Sequence, residues 1–151
     1  MMQSHLPHLN PSDATIRVGA LTVRFLISAE DSNGTVAIFE LVVPCGESLP
    51  VPAHSHERFE ETIYGTEGAL TWAVDGAQIH VGPGDALCIP RGAIHSFDNK
   101  GSKNAKTLCV ITPAELGPAY FRECAAVIDR GSPPDHALLS NIMRRHGLKP
   151  I

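Results

Sequence analysis

The chain has 151 residues, a formal net charge of −4 and 43% hydrophobic residues. A chain of this length can bury about two-thirds of its unfolded surface in a single core. The mild acidic balance gives no basic patch for nucleic acid, and no apolar run is long enough to span a bilayer. The composition therefore predicts one folded domain without nucleic-acid or membrane partners. Its unusual feature is eight histidines against two tyrosines and one tryptophan.

The beginning of the chain is polar and contains proline, so we expect residues 1–14 to form a flexible arm. The arm lacks the charged-then-apolar pattern of a secretory signal peptide, which predicts a cytoplasmic protein. Cysteines stay reduced in that compartment. Cys45, Cys88, Cys109 and Cys124 form no CxxC pair, so we expect buried free thiols that pack as small hydrophobic side chains.

Short apolar runs separated by turn residues fill the next hundred positions. The predicted strands span residues 20–27, 35–43, 68–74, 77–81, 86–90 and 106–112. Asn33-Gly34 and Asp75-Gly76 are strong hairpin signals, because these residues adopt the positive φ that tight turns need. Strands at short spacing with Gly- and Pro-containing turns predict an all-β sandwich or barrel over residues 15–113.

The pattern changes to helical in residues 114–151. Helices are predicted over 114–129 and 134–148, and in the second the apolar side chains recur at spacings of three and four. Ser132 is expected to cap the second helix, and Gly147 to end it. We expect this helical extension to pack on one face of the β domain.

One short segment, His-Ser-His-Glu-Arg-Phe-Glu-Glu, concentrates side chains that bind metal. His54 and His56 point to the same face of a strand, because side chains alternate along it. Glu60 shares their parity, whereas Glu61 needs a bulge or turn to reach the same cation. His95 follows a Pro/Gly turn further along the chain. Three imidazoles and one carboxylate suit Fe, Mn, Ni, Cu or Zn and disfavour Ca or Mg.

The spacing of these residues forms two longer motifs. His54-x-His56-x4-Glu61-x6-Gly68 is followed, after a 15-residue stretch, by Gly84-x5-Pro90-x-Gly92-x2-His95-x3-Asn99. The two segments resemble the paired signature motifs of the cupin superfamily, with Gly46 standing farther before the first histidine than in the family pattern. The stretch HSHERFEETIYGTEGALTWAVDG and the tail ending in RRHGL are similar to small single-domain bacterial cupins of the cupin type 2, quercetin-dioxygenase-like group.

This resemblance implies an all-β fold, an antiparallel jelly-roll β-barrel with a short C-terminal helical extension and one divalent transition metal ion inside. The metal ligands that it implies are His54, His56, Glu61 and His95. Glu61 is favoured over Glu60, because only Glu61 has the six-residue spacing to Gly68. Glu61 is also the candidate catalytic residue, a proton acceptor when loosely bound to the metal. The expected turn glycines are Gly68, Gly76, Gly84 and Gly92.

The other five histidines are not expected to bind metal. His5 and His8 lie in the predicted arm, and His80 lies on a strand without an acidic or histidine neighbour at ligand spacing. His136 and His146 belong to the last predicted helix, where His146 is on the apolar side.

Apolar side chains facing into the barrel are expected to line a substrate pocket beside the metal. The candidates are Phe25, Phe39, Ile63, Trp72, Ile89 and Phe97. Such a pocket suits a small ligand with oxygen donors, and the resemblance implies a metal-dependent dioxygenase-like oxidoreductase. The alternatives are a non-enzymatic metal-containing binding or sensing module and, with Tyr64 as the only further candidate base, a sugar isomerase or epimerase. Bare edge strands predict a homodimer.

Overall fold

The computed structural model describes Leu9 and residues 15–151, so the predicted arm, apart from Leu9, lies outside the described residues. In chain order the described strands are β1 (Thr15–Val18), β2 (Leu21–Ile27), β3 (Ala37–Val43), β4 (His54–His56), β5 (Glu60–Glu67), β6 (Leu70–Val74), β7 (Ala77–Val81), β8 (Ala86–Ile89), β9 (His95–Asp98), β10 (Ala105–Thr112) and β11 (Leu148–Pro150). The described helices are α1 (Ala29–Ser32), α2 (Pro118–Ile128) and α3 (His136–Arg145).

The strands form two antiparallel sheets around one core. The six-stranded sheet has the order β1-β2-β3-β10-β5-β8, and the five-stranded sheet has the order β11-β4-β9-β6-β7. Side chains of β3 and β10 alternate between buried and half-buried, as expected for strands with one face on a core. Buried side chains from both sheets belong to the same hydrophobic cluster. These observations confirm the antiparallel jelly-roll barrel.

Both hairpin signals mark real strand reversals. β6 and β7 pair from Leu70↔Val81 to Val74↔Ala77, and the turn between them contains Asp75 with φ 48°. β2 and β3 also pair antiparallel, but their connection contains the one-turn helix α1, which the sequence pattern does not predict. A single helical turn is too short to show a helical period.

The C-terminal part differs from the prediction in two places. Asp135, not Ser132, caps α3, since its carboxylate accepts a hydrogen bond from the Leu138 amide at 3.0 Å. Gly147 ends the helix with φ 84°, as predicted. The predicted helix extends to residue 148, and this end is wrong. Leu148 begins the strand β11 and pairs with His56 of β4. Three residues are too few for strand periodicity to be recognised.

The two helices bury apolar side chains. In α2 the buried residues are Tyr120, Cys124, Ala125 and Val127, and in α3 they are Leu139, Ile142 and Met143. The Phe121 ring of α2 lies 5.8 Å from the Phe25 ring and 5.2 Å from the Phe39 ring, both in the six-stranded sheet. In the described part of the chain, no helix has the length and apolar character needed to cross a bilayer.

Two of the four cysteines differ from expectation. Cys109 and Cys124 are buried free thiols, but Cys45 and Cys88 are exposed. In β8 only Ile89 is buried, so Cys88 is on the side of the strand away from the core, and Cys45 lies in an exposed turn after β3.

Gly68 and Gly76 provide a matched test of the turn framework. Both have positive φ, of 60° and 83°. A Cβ at position 68 would lie 2.3 Å from the Asn104 carbonyl oxygen, whereas a Cβ at position 76 would meet nothing within 4 Å. Both substitutions to Ala strain the backbone by about 1–2 kcal/mol. We expect Gly68→Ala to lower the free energy of unfolding by about 2 kcal/mol more than Gly76→Ala in urea denaturation. Equal losses would contradict the close approach.

Candidate metal centre

Two strands of the five-stranded sheet bring three histidines together. His54 and His56 belong to β4, and His95 belongs to β9 directly opposite His54. The ring centroids are 5.1 Å apart for His54 and His56, 4.7 Å for His54 and His95, and 4.5 Å for His56 and His95. One nitrogen from each ring lies within 4.8 Å of the others, and all three residues are buried. This separation allows a single ion to contact all three rings.

The hydrogen bonds at the ring edges define which nitrogens remain free. His54 Nδ1 donates to the Pro52 carbonyl at 2.9 Å, and His95 Nδ1 donates to the Ala93 carbonyl at 3.0 Å. Because a carbonyl oxygen only accepts, each Nδ1 carries the proton and each Nε2 has a free lone pair. Backbone carbonyls commonly orient metal-binding histidines in this way.

Several buried ring nitrogens have no hydrogen-bond partner among the described residues: His56 Nδ1, His56 Nε2 and His95 Nε2. A neutral imidazole has one lone pair and one N–H, so His56 and His95 each offer one unpaired lone pair here. Buried lone pairs without a partner are costly, so these two indicate that something outside the chain accepts them. A transition metal ion accepts imidazole lone pairs. The residues present therefore fit a metal ion.

Burial keeps the three imidazoles neutral. Desolvation lowers the pKa of His54 to about 4 and that of His56 to about 2. Desolvation also lowers the pKa of His95, although the Ala93 carbonyl partly opposes the shift. The neutral imidazole is the form that coordinates metal, so these three rings can bind an ion at neutral pH without first losing protons.

The structure distinguishes the two candidate carboxylates. After the turn that follows β4, Glu61 points inward from β5, and its Oε2 lies 3.7 Å from His95 Nε2. Glu60 points outward and pairs with Arg91, with 2.8 Å between Oε1 and Nε. Glu61 is buried, and desolvation raises its pKa to about 7. A cation at the histidine cluster would stabilise the ionised carboxylate.

A cavity with a volume of about 70 Å³ adjoins the cluster. Of the six side chains proposed for the pocket, Phe39, Trp72 and Phe97 line it. The other three, Phe25, Ile63 and Ile89, are buried in the core and are not part of the lining.

The sequence pattern misses the cavity wall that the C-terminal extension supplies. Tyr120, Phe121 and Cys124 of α2 line the cavity, together with Leu116 before the helix and Leu148 of β11. The available signal was the spacing of Tyr120 and Cys124, which places both on one helix face. Nothing in a helical pattern says which cavity that face covers.

The described histidines outside the cluster have other neighbours. His80 is exposed, and its Nδ1 lies 2.9 Å from Thr71 Oγ1. His136 is exposed at the start of α3, and the His146 Nε2 contacts the Glu123 carboxylate. Within the described residues, the one group with metal-ligand spacing is His54, His56 and His95. His5 and His8 lie outside the described residues.

Residues 39–111 match the cupin domain. The chain is 30% identical to quercetin 2,3-dioxygenase of Bacillus subtilis over 99 residues, which are 66% of this chain and 28% of that protein. It is 32% identical over 73 residues to the tetracenomycin polyketide synthase protein TcmJ of Streptomyces glaucescens, covering 48% of each chain. The chain thus spans less than half the length of these two relatives.

A solved structure extends the comparison beyond the barrel. The polyketide cyclase RemF of Streptomyces resistomycificus superimposes with a TM-score of 0.58 and 25% identity, over 80% of this chain and 95% of that one. Two antiparallel sheets around an inward-facing histidine cluster define a jelly-roll protein with a candidate metal centre. The chain belongs to the cupin superfamily.

The raised pKa of Glu61 predicts a pH-dependent stability of the metal-free protein. Its pKa is about 7 in the folded state against an ordinary value of 4.5. Between these values the folded state keeps a proton that the unfolded state has lost, so this carboxyl group makes folding less favourable as the pH rises. Glu61→Gln cannot ionise. Between about pH 4.5 and 7, its free energy of unfolding should rise by up to about 3 kcal/mol relative to the wild type.

Urea denaturation of both metal-free proteins at several pH values measures this difference. The three histidines occur in both proteins, and in the folded state below about pH 7 the Glu61 carboxyl is uncharged, as Gln is, so the titration of the histidines largely cancels. A difference that does not change with pH would contradict the burial of an ionisable Glu61 carboxyl in the folded protein.

Proposed function

We propose that this protein is a metal-dependent dioxygenase-like enzyme that acts on a small organic substrate with oxygen donors. The observation that carries the proposal is the cluster of buried, neutral imidazoles with unpaired nitrogens at the wall of an apolar cavity. The similarity to a quercetin 2,3-dioxygenase supports the reaction class.

The proposed ligands of one divalent transition metal ion are His54, His56, Glu61 and His95. Three nitrogens and one oxygen suit Fe, Mn, Ni, Cu or Zn. When bound, such an ion supplies Lewis-acid polarisation of substrate oxygens and, if redox-active, electron transfer with dioxygen. The carbonyls of Pro52 and Ala93 hold the rings of His54 and His95 in place through their Nδ1 protons.

Glu61 is the proposed proton acceptor. Without a metal ion, burial raises the pKa of Glu61 to about 7. A cation at the cluster would lower that pKa, so the carboxylate would be ionised at neutral pH and able to accept a proton while the ion holds it loosely. Its carboxylate lies at the cluster and lines the cavity, where an acidic hydroxyl of a bound enol, phenol or catechol would be placed. Glu61 therefore accepts the proton that such a substrate releases on binding.

The cavity lining limits the substrate class. Among the described residues that line it there is neither lysine nor arginine, and Glu61 is the one carboxylate. Apart from the proposed metal ion, a sugar phosphate or dicarboxylate would find no positively charged group in the cavity wall to pair with it. A water molecule takes up about 10–15 Å³ of such a cavity. A cavity of about 70 Å³ therefore favours a compact, uncharged ligand, with its apolar part against Phe39 and Phe97.

A second candidate is a non-oxidative reaction, such as cyclisation of a polyketide-like substrate. The similarity to RemF favours it, because it covers 80% of this chain and includes residues outside the barrel. A third candidate is a metal-containing module that binds or senses such a ligand at the same site without turnover.

A sugar isomerase is less well supported, because Tyr64, its candidate base, is exposed on β5. The homodimer inferred from bare sheet edges stays a prediction, which a measurement of the molecular mass in solution would test.

Metal content tests the ligand assignment. Protein purified without chelator should take up about one equivalent of Fe, Mn, Ni, Cu or Zn. The double variant His54→Ala/His95→Ala should hold less than about a tenth of an equivalent, because two of the ligands are gone. His80→Ala is the matched control, since His80 is exposed and lies outside the cluster. Metal retained by the double variant, with a wild-type far-UV circular dichroism spectrum, would contradict the assignment.

Oxygen uptake separates the candidate functions. We expect the metal-loaded protein to consume dioxygen with at least one compound from a panel of flavonols, diketones and catechols. Glu61→Gln should lower that rate by about 100-fold or more, because the proton acceptor is lost, whereas His80→Ala should leave it unchanged. Product formation without oxygen uptake would favour the cyclase, and binding without product would favour the binding module.

A further inference from the structure

The C-terminal helix α2 contributes a tyrosine to the wall of the cavity. Tyr120 is buried, lines the cavity together with Glu61, and belongs to the part of the chain after residues 39–111, which match the cupin domain. Its ring lies 5.0 Å from the Phe121 ring and 5.6 Å from the His146 ring. These contacts hold the Tyr120 ring in place, so the hydroxyl is the part of the side chain that can change its hydrogen-bond partner.

The hydroxyl of Tyr120 has a weak partner. It shares a side-chain hydrogen bond with the thiol of Cys124, one helical turn later. Sulfur is a poor hydrogen-bond acceptor and the thiol is a poor donor. A carbonyl or phenolic oxygen of a ligand would be a better acceptor, so exchanging the thiol for a ligand oxygen favours binding. Burial first, then the neighbouring Cys124 and to a smaller extent Glu61, raise the pKa of Tyr120 well above its ordinary range, so the hydroxyl keeps its proton.

The indole N–H of Trp72 is an independent indication that the cavity binds a group with a hydrogen-bond acceptor. Trp72 is 1% exposed and lines the cavity, and its indole Nε1 has no hydrogen-bond partner among the described residues. An indole N–H only donates, and buried ones are normally paired. Beside the candidate metal ligands and Cys124, Tyr120 and Trp72 are the lining side chains with polar atoms. In a mostly apolar cavity such isolated polar groups set how a ligand is oriented.

We propose that Tyr120 is a specificity-determining residue whose hydroxyl donates a hydrogen bond to an oxygen of the bound ligand. The ligand is an uncharged compound, such as an aromatic hydroxy-ketone or a substituted catechol. It has at least one acceptor oxygen for Tyr120 in addition to the oxygens placed at the candidate metal centre. Tyr120 selects the orientation that directs the acidic hydroxyl of the ligand to Glu61. This inference rests on the proposed function, because it uses the same cavity.

Binding of 4-nitrocatechol to the cobalt(II)-loaded protein tests the inference. The variant is Tyr120→Phe, which keeps the ring and removes the hydroxyl. The matched control is Tyr64→Phe, which alters the other tyrosine of the chain, 45% exposed on β5. We expect Tyr120→Phe to raise the dissociation constant by about 3- to 10-fold. It should also shift the absorption maximum of the bound probe, because the hydrogen bond to its oxygen is lost. Tyr64→Phe should change neither quantity.

Cobalt content and thermal unfolding of the variants separate this effect from a structural one. In Tyr120→Phe, the cobalt content and the unfolding temperature should match those of the wild type. A purely structural role of Tyr120 would instead change the unfolding temperature and leave the spectrum of the bound probe unaltered. Wild-type affinity and an unshifted probe spectrum in Tyr120→Phe would overturn the inference and leave the proposed function standing. Failure of the cobalt-loaded wild type to bind 4-nitrocatechol would overturn both.

Discussion

The rest of the structure depends on burying three neutral imidazoles at one point between two sheets. Three of their ring nitrogens have no hydrogen-bond partner in the part of the chain that the structure describes, and desolvation lowers the pKa of all three side chains. Protonation cannot relieve this arrangement, because adjacent positive charges would repel each other in a medium of low polarity. A cation that accepts one lone pair from each ring relieves most of this cost and leaves the second nitrogen of His56 as an N–H donor. The same cation favours ionisation of Glu61, whose carboxyl group burial alone keeps protonated up to about neutral pH.

The parts of the chain outside the barrel complete this centre. β11 pairs with β4 along its whole length, from Leu148↔His56 to Pro150↔His54, and so covers the backbone of the strand that carries two histidines. α2 closes the cavity with Phe121, whose ring contacts Phe39 of the barrel wall. The barrel thus provides the candidate metal ligands, and the C-terminal extension provides part of the cavity wall beside them. Relatives with similar barrels can therefore differ in substrate through this extension.

The spacing of the motif residues predicts the histidine cluster because strand parity and glycine turns are local properties of the chain. His54 and His56 follow from alternation. Alternation alone would favour Glu60, and the preference for Glu61 comes from the resemblance to the cupin motif, whose spacing to Gly68 only Glu61 has. The cavity wall is less predictable, since which aromatic side chain faces a cavity depends on packing between distant elements. Phe39 and Phe97 line it while Phe25, equally buried, packs behind Phe39 with 5.1 Å between the rings. β11 is not predicted from the sequence, because the conformation of a three-residue strand is determined by pairing with β4 and not by its own residue pattern.

The most direct measurement is a crystal structure of the metal-loaded protein with anomalous diffraction recorded at the absorption edge of the metal. The account predicts one anomalous peak inside the barrel. It should lie about 2.0–2.2 Å from the Nε2 atoms of His54 and His95, one ring nitrogen of His56 and a carboxylate oxygen of Glu61. A fully loaded protein with its anomalous peak elsewhere, or with the three imidazoles paired to protein groups and no metal between them, would contradict it.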